Sequence, residues 1–195
     1  MGIPIDPKFS LKLDCRPIAA KLGLDLSLPV VLVMGGGHGL GPIKNTIKSL
    51  DSLGINMQII VVAGINRKLL AWVETHKRHL KNKIIAYPFV DNIDELMELA
   101  TFLITKPGGI TTAEALAKGL PMIIIKPIPG QEINNTEFLL KKGAAIRINT
   151  EDELKSVAAH LLENREKLGI FKKRAKELAR PSSSLDIAKF VLELC

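Results

Sequence analysis

Aromatic side chains are scarce in this 195-residue chain, at 4% of its residues. Its core must therefore be built from Ile, Leu, Val and Ala, as in parallel α/β sheets buried on both faces. Cysteine is nearly absent: Cys15 and Cys195 stand near opposite ends, with no zinc-ligand spacing and no CxxC pair. A structural zinc site or a dithiol redox centre is excluded, and a reducing cytosol is the expected compartment. No apolar run reaches the ~18 residues of a membrane-spanning helix, and no secretory leader is visible. Asp6 stands where an N-terminal acylation signal needs Ser or Thr.

Two common nucleotide signatures are missing as well. Residues Gly35 to Gly41 contain five glycines in seven, but no G-x-G-x-x-G register fits, because Leu40 or Pro42 falls in the last place. The strand that follows, ending Val61-Val-Ala63, has no terminal Asp or Glu to hold an adenine ribose. Pro42 after Gly41 rules out a Walker A loop. A tight turn needs one or two glycines, so this run points to a close backbone approach by a ligand or another domain.

What is present is enough apolar residue, 47%, for one sizeable core. Net charge is +7, with basic residues spread along the chain, unlike the stripe of a nucleic-acid binder. The densest cluster is Arg67, Lys68, Lys77, Arg78, Lys81 and Lys83, with His76, His79 and Trp72. It reads as a solvated helix face or as a contact for an anionic membrane surface.

Apolar runs predict strands at Val30–Met34, Asn56–Ala63, Lys83–Ala86, Phe102–Ile104, Met122–Lys126 and Ala144–Ile148. Helical patterns fall between them: Pro42–Leu53, Arg67–Lys77, Ile93–Ala100, a helix to about Lys118, and Asn134–Lys141. A short helix at Arg16–Leu22 precedes them, and three more follow at Glu151–Leu162, Arg165–Ala179 and Ser183–Leu194. Strict alternation gives an α/β fold: a Rossmann-like, parallel six-stranded sheet with helices on both faces. Ligands on such sheets bind at the carboxyl ends of the strands. Four unusual loops fall there: 35–41, 87–90, 107–109 and 127–132.

The turn Thr105-Lys-Pro-Gly-Gly-Ile-Thr-Thr-Ala-Glu114 is the most informative. Gly108 and Gly109 let a ligand approach where helix amides point outward, an arrangement that favours phosphate. Thr111 and Glu114 also fit a capping box, which would be purely structural. His38 is a candidate phosphate donor or an exposed loop residue. Phe89 and Val90 read as a base slot or as core. Gln131 and Glu132 read as sugar contacts, solvent-facing residues or helix caps. Lys106 adds positive charge near the phosphates or points to solvent.

In combination and order, Gly35-Gly-Gly-His-Gly39, Phe89-Val-Asp-Asn92, Lys106-Pro-Gly-Gly-Ile-Thr-Thr-Ala-Glu114 and Pro129-Gly-Gln-Glu-x-x-Asn135 resemble the C-terminal, nucleotide-sugar lobe of a GT-B glycosyltransferase. Within that fold the residues resemble the diacylglycerol glycosyltransferases more than the lipid II N-acetylglucosaminyltransferases. The resemblance runs from residue 2 to about 194. It implies a UDP-sugar donor, inversion at the sugar carbon and a diacylglycerol acceptor. It implies no cofactor besides the donor substrate, no metal and no nucleic-acid partner. It also implies a cytoplasmic enzyme, peripheral on the inner face of the cell membrane. Glu114 would accept from both ribose hydroxyls. Thr111 and the amides near Gly108 and Gly109 would hold the diphosphate, with Lys106 and His38 nearby. Phe89 and Val90 would line the uracil slot. Gly36 and Gly37 would approach the phosphates or sugar, and Gln131, Glu132 and Asn135 would hold sugar hydroxyls. No catalytic residue is assigned within the chain, since the family's general base belongs to an N-terminal lobe.

The domain reading that goes with this is a linker and short helix at 1–29, the nucleotide-sugar domain at 30–180, and a helix at 181–195 that packs on the other lobe. Gly2-Ile-Pro-Ile-Asp-Pro-Lys-Phe9 resembles the segment joining the two lobes, so the chain is expected to be an inactive half on its own. The alternatives are a lipid II-type lobe, a UDP-sugar epimerase, or a non-catalytic nucleotide-binding module.

Overall fold

A computed structural model describes residues 2–194; Met1 and Cys195 lie outside the described residues. Six parallel strands form one sheet in the order β3-β2-β1-β4-β5-β6. They are β1 Val30–Met34, β2 Gln58–Val62, β3 Lys83–Tyr87, β4 Phe102–Thr105, β5 Met122–Ile125 and β6 Ala145–Ile148. The helices are α1 Cys15–Leu22, α2 Ile43–Asp51, α3 Arg67–His76, α4 Ile93–Leu99, α5 Gly109–Ala117, α6 Gln131–Lys141, α7 Glu151–Glu163, α8 Arg165–Leu178 and α9 Ser183–Glu193. Single 3-10 turns occupy Pro7–Ser10 and Lys77–His79.

The strands are rich in β-branched residues; β1, β2, β4 and β5 are buried throughout, while the edge strands β3 and β6 are partly exposed. Alternate side chains feed two cores. One, from Leu32, Ile60, Leu103 and Ile124, meets Ala19, Leu96, Leu116 and Leu139. The other, from Val31, Val33, Ile59, Ile104 and Ile123, meets Ile47, Leu69, Val73 and Leu154. Edge strand β3 is tied in by a buried carboxylate: Asp51 accepts from the amides of Lys81 and Asn82 at 2.8–3.1 Å, and Asn82 Oδ1 accepts from Met57 N at 2.9 Å.

Because β1 lies between β2 and β4, chain direction across the sheet reverses between β1 and β4. The loops leaving those two strands diverge there and open a crevice, the usual ligand position in doubly wound sheets.

At the opposite end of the chain order, Ser183 Oγ donates to Ile3 O (2.6 Å) and Ser184 Oγ to Ile5 O (2.5 Å). The start of α9 and residues 3–5 are thereby fastened side by side. Beyond that contact α9 is amphipathic with its apolar positions uncovered: Leu185, Phe190, Val191, Leu192 and Leu194 are all exposed. Among the described residues no helix is long and apolar enough to cross a membrane.

Candidate functional site in the crevice between β1 and β4

A cleft of about 340 Å³ sits at the carboxyl end of the sheet, lined by Met34, Gly36, Gly37, Val62, Gly64, Phe89, Val90, Ile93, Ile110, Thr111 and Glu114. Six of the sequence-predicted residues therefore meet in one concavity although they span nearly eighty positions. Met34, Val62, Gly64, Ile93 and Ile110 were not foreseen.

The 35–41 loop divides its glycines between two tasks. Gly39 has φ +58, and a Cβ there would lie 2.0 Å from Ala63 O, so the loop can only pack on β2 with glycine. Gly37 is different: space is open around it, and it borders the cleft. Asn66 locks the arrangement by donating to Gly39 O (3.0 Å) while capping α3 at Leu69 N (2.9 Å). His38 is exposed on this loop and is not among the residues lining the cleft.

On the facing side, α5 begins at Gly109 with Gly108 as its N-cap and no side-chain cap. The capping box of Thr111 and Glu114 is therefore not formed. Pro107 and Gly108 lead directly into the helix, which places Thr111 inside the first turn instead of ahead of it. The first intrahelical bond is Thr112 N to Gly108 O, leaving the amides of Gly109, Ile110 and Thr111 without intrahelical acceptors at the positive end of the helix dipole.

Glu114 lies five residues along α5 from Gly109, about 7.5 Å at the helical rise. It is half-buried in the cleft wall. Burial pushes its carboxyl up to about 7; Lys8 opposes this and Asp94 adds to it. Lys8 comes from the turn at Pro7–Ser10, where its Nζ donates to Asp91 O (2.7 Å) and pairs with Asp94 (3.3 Å). The loop between β3 and α4 is thus braced from residue 8. Phe89 on that loop is 61% exposed and Ile110 across from it 62%. Two apolar side chains flank the opening, and Phe89 is not core.

The third group gathers beside the α5 N-terminus. Helix α6 starts at Gln131, three residues earlier than Asn134, because Gly130 turns the chain with φ 98 and the helix follows at once. Gln131 and Glu132 are therefore helical, and neither caps α6. Lys106 is buried, with Nζ 3.3 Å from Glu132 Oε1, so it does not point to solvent. Glu132 Oε2 also accepts from Ile128 N (2.7 Å), and Asn135 Nδ2 donates to Pro107 O (2.8 Å). Exposed Gln131 brings its amide next to Gly109, 3.2 Å from where a Cβ would be. The predicted sugar-binding trio adjoins the anion-favouring turn, but Glu132 and Asn135 already have internal partners. Among the described residues no three His, Cys, Asp or Glu side chains converge to hold a metal ion.

The glycosyltransferase family 28 C-terminal domain matches residues 30–189. The chain is 37% identical to a processive diacylglycerol beta-glucosyltransferase of Bacillus pumilus over 194 residues, and 36% identical to that of Bacillus subtilis. In both cases the match covers 98% of this chain and 50% of the relative, so the chain spans about half the length of the curated relatives it matches. Among solved structures, Acinetobacter baumannii MurG superposes with a TM-score of 0.75 at 18% identity, covering 95% of this chain and 55% of that one. A glycosyltransferase from Rickettsia africae gives 0.73 at 14% identity, covering 98% and 56%. These two likenesses show the shared GT-B, Rossmann-like fold. The chain belongs to glycosyltransferase family 28 and carries its C-terminal domain.

Proposed function

We propose that this chain is the donor-binding half of an inverting glycosyltransferase that moves a hexose from a UDP-sugar to diacylglycerol. The observation that carries the reading is the convergence in one cleft of an open glycine edge, an exposed aromatic, the uncapped first turn of α5 at Ile110 and Thr111, and a half-buried carboxylate. The names of the relatives favour glucose as the sugar and diacylglycerol as the acceptor. In this reading uracil lies against Phe89 and Val90. Glu114 accepts hydrogen bonds from the ribose diol, for which a carboxylate is suited. The diphosphate sits on the amides of Gly109, Ile110 and Thr111.

Transfer with inversion leaves UDP as the departing group, so charge grows on the β-phosphate as the sugar bond breaks. Fixed dipoles at the α5 N-terminus stabilise that charge without reorganising, and this is the chain's main catalytic contribution. Gly37 leaves room for the phosphates or the sugar. Gln131, beside Gly109, is placed to meet a sugar hydroxyl, while Lys106 and Glu132 neutralise each other and hold α6 against the turn. The donor is the only small molecule this scheme needs. The base that deprotonates the acceptor is assigned outside these residues. The same reading gives the exposed apolar positions of α9 to contact with the acceptor-binding lobe, and places the enzyme on the inner face of the membrane.

Calorimetric titration with UDP-glucose, UDP-galactose, UDP-N-acetylglucosamine and NAD tests the donor assignment. UDP-sugars are expected to bind and NAD is not. Binding of NAD with no response to any UDP-sugar would overturn it.

A further inference from the structure

Nearly all of the net charge of this protein lies in one stretch. Residues 40–83 hold eight Lys and Arg against Asp51 and Glu74; with 27 basic and 20 acidic residues in total, the rest of the chain holds 19 and 18. Both acids in the stretch are already engaged. Asp51 is buried on the amides of Lys81 and Asn82, and Glu74 pairs with Lys77 at 2.6 Å. Glu74 stays exposed in that pair, but the charges of the stretch left without an acidic partner are all positive.

The fold concentrates it further. Helix α2 lies beside α3, so Lys44 and Lys48 join a face that sequence order alone gave only to α3. Their ammonium groups sit 5.4 and 5.7 Å from the ring centroid of Trp72. His76 stacks on the same ring at 4.5 Å. Lys68 lies one turn before Trp72 and lines, with Lys44, Asn45, Asn66, Pro42, Leu69 and the backbone at Gly39 and Gly41, an open cleft of about 350 Å³; the carboxylate of Glu151, which reaches it from α7, accepts from the Asn45 amide at 2.7 Å. Two bulky apolar side chains flank that cleft in the chain, Leu40 at 50% and Ile65 at 65% exposure.

We infer that the α2–α3 face is a docking surface for a bilayer containing anionic phospholipid. Lys44, Lys48 and Lys68 meet lipid phosphates, and Leu40 and Ile65 enter the headgroup boundary. Juxtaposed cations and protruding apolar tips are what such a surface attracts, and a tryptophan is at home at that depth. A nucleic acid fits less well, because Trp72, the aromatic residue of this face, is occupied by His76 and two lysines and offers no open platform for base stacking. The inference deepens the membrane contact proposed above. It has a further consequence for that reading: Leu40 belongs to the 35–41 loop, so docking here brings the donor cleft's rim to the bilayer, where a lipid acceptor resides.

The test is co-sedimentation with vesicles of phosphatidylcholine alone, and of phosphatidylcholine with phosphatidylglycerol at about three to one. The single Trp72 adds an intrinsic fluorescence readout on the same face. No nucleotide is needed, so the outcome is independent of whether UDP-sugar binds. Binding is expected only with phosphatidylglycerol present and should weaken as salt is raised. Each lysine contributes about fivefold, so the triple variant Lys44→Ala, Lys48→Ala, Lys68→Ala is expected to lose about a hundredfold. The matched α8 variant Lys167→Ala, Lys172→Ala, Lys173→Ala should bind as wild type. Ile65→Ser should weaken binding severalfold at unchanged charge. Equal binding to both vesicle types, equal loss in the α8 variant, or tighter binding to single-stranded nucleic acid than to the vesicles would each overturn the inference.

Discussion

Glu114→Gln separates a ligand-binding carboxylate from a structural one, because the two roles move stability and affinity in different directions. In the unliganded protein the carboxyl titrates near 7 against an ordinary value of 4.5, mainly through burial. A raised acid pKa means that folding disfavours the charged form. The cost is absent below pH 4.5, develops between 4.5 and 7, and is fully present above 7. At about 1.36 kcal/mol per pKa unit the full shift amounts to about 3 kcal/mol; screening of a partly exposed group reduces this to about 2 kcal/mol. Glu114→Gln is therefore expected to raise the melting temperature of the free protein by about 4–8 °C at pH 8, and to change it little at pH 4. Affinity moves the other way. Charged hydrogen bonds to a diol are each worth about 1.5–3 kcal/mol, so the variant should bind UDP-glucose at least tenfold more weakly at pH 8. Wild-type affinity should itself fall about tenfold between pH 8 and pH 6, as the carboxylate is protonated. UDP-glucose suits this measurement better than UDP, since its diphosphate has no group titrating in that range. Calorimetry at several pH values, beside thermal denaturation of both proteins, covers every term. If the variant loses stability at pH 8 while UDP-glucose affinity is unchanged, Glu114 supports the fold and the ribose assignment is wrong.

Other substitutions probe the remaining parts of the site. Gly39→Ala forces a Cβ against Ala63 O and should destabilise the chain by several kcal/mol in urea denaturation. Gly37→Ala meets no such atom, so its unfolding free energy should stay within about 0.5 kcal/mol of wild type while UDP-glucose affinity falls. Phe89→Ala removes an exposed ring; it should leave the melting temperature unchanged and weaken UDP by about 1–3 kcal/mol in calorimetry if uracil stacks there. Lys106→Met strands Glu132 in a partly buried site and should cost about 3 kcal/mol, with much of the loss recovered when Glu132→Gln is added.

The sheet was legible because its strands announce themselves. Val30–Met34 is an uninterrupted apolar run stopped by glycine, and the strand matches it residue for residue. Order along the chain also placed four loops at one edge. Lateral position was not legible: nothing local to Met34 or Ile110 says that β1 and β4, some seventy residues apart, are hydrogen-bonded neighbours. The cleft's apolar lining from Met34, Val62 and Ile93 follows from that pairing, so it was missed. Pairing of α2 with α3 hid the union of Lys44 and Lys48 with Trp72 in the same way. The Thr111–Glu114 spacing matched a capping box, but the helix starts at Gly109 with Gly108 as N-cap, so Thr111 lies inside the first turn where it cannot cap it. Gly64 could have been suspected, as a glycine directly after a strand and opposite the glycine-rich loop.

The two serine hydroxyls that reach Ile3 O and Ile5 O have a mechanical consequence. Joined at two points, these two lengths of backbone cannot slide past each other without breaking a hydrogen bond at Ser183, whose side chain is wholly enclosed. Residue 8, a short step along the same segment, grips Asp91 and Asp94 beside the cleft. Residues 3 to 8 thereby form a tether from the start of α9 to the loop that carries Phe89.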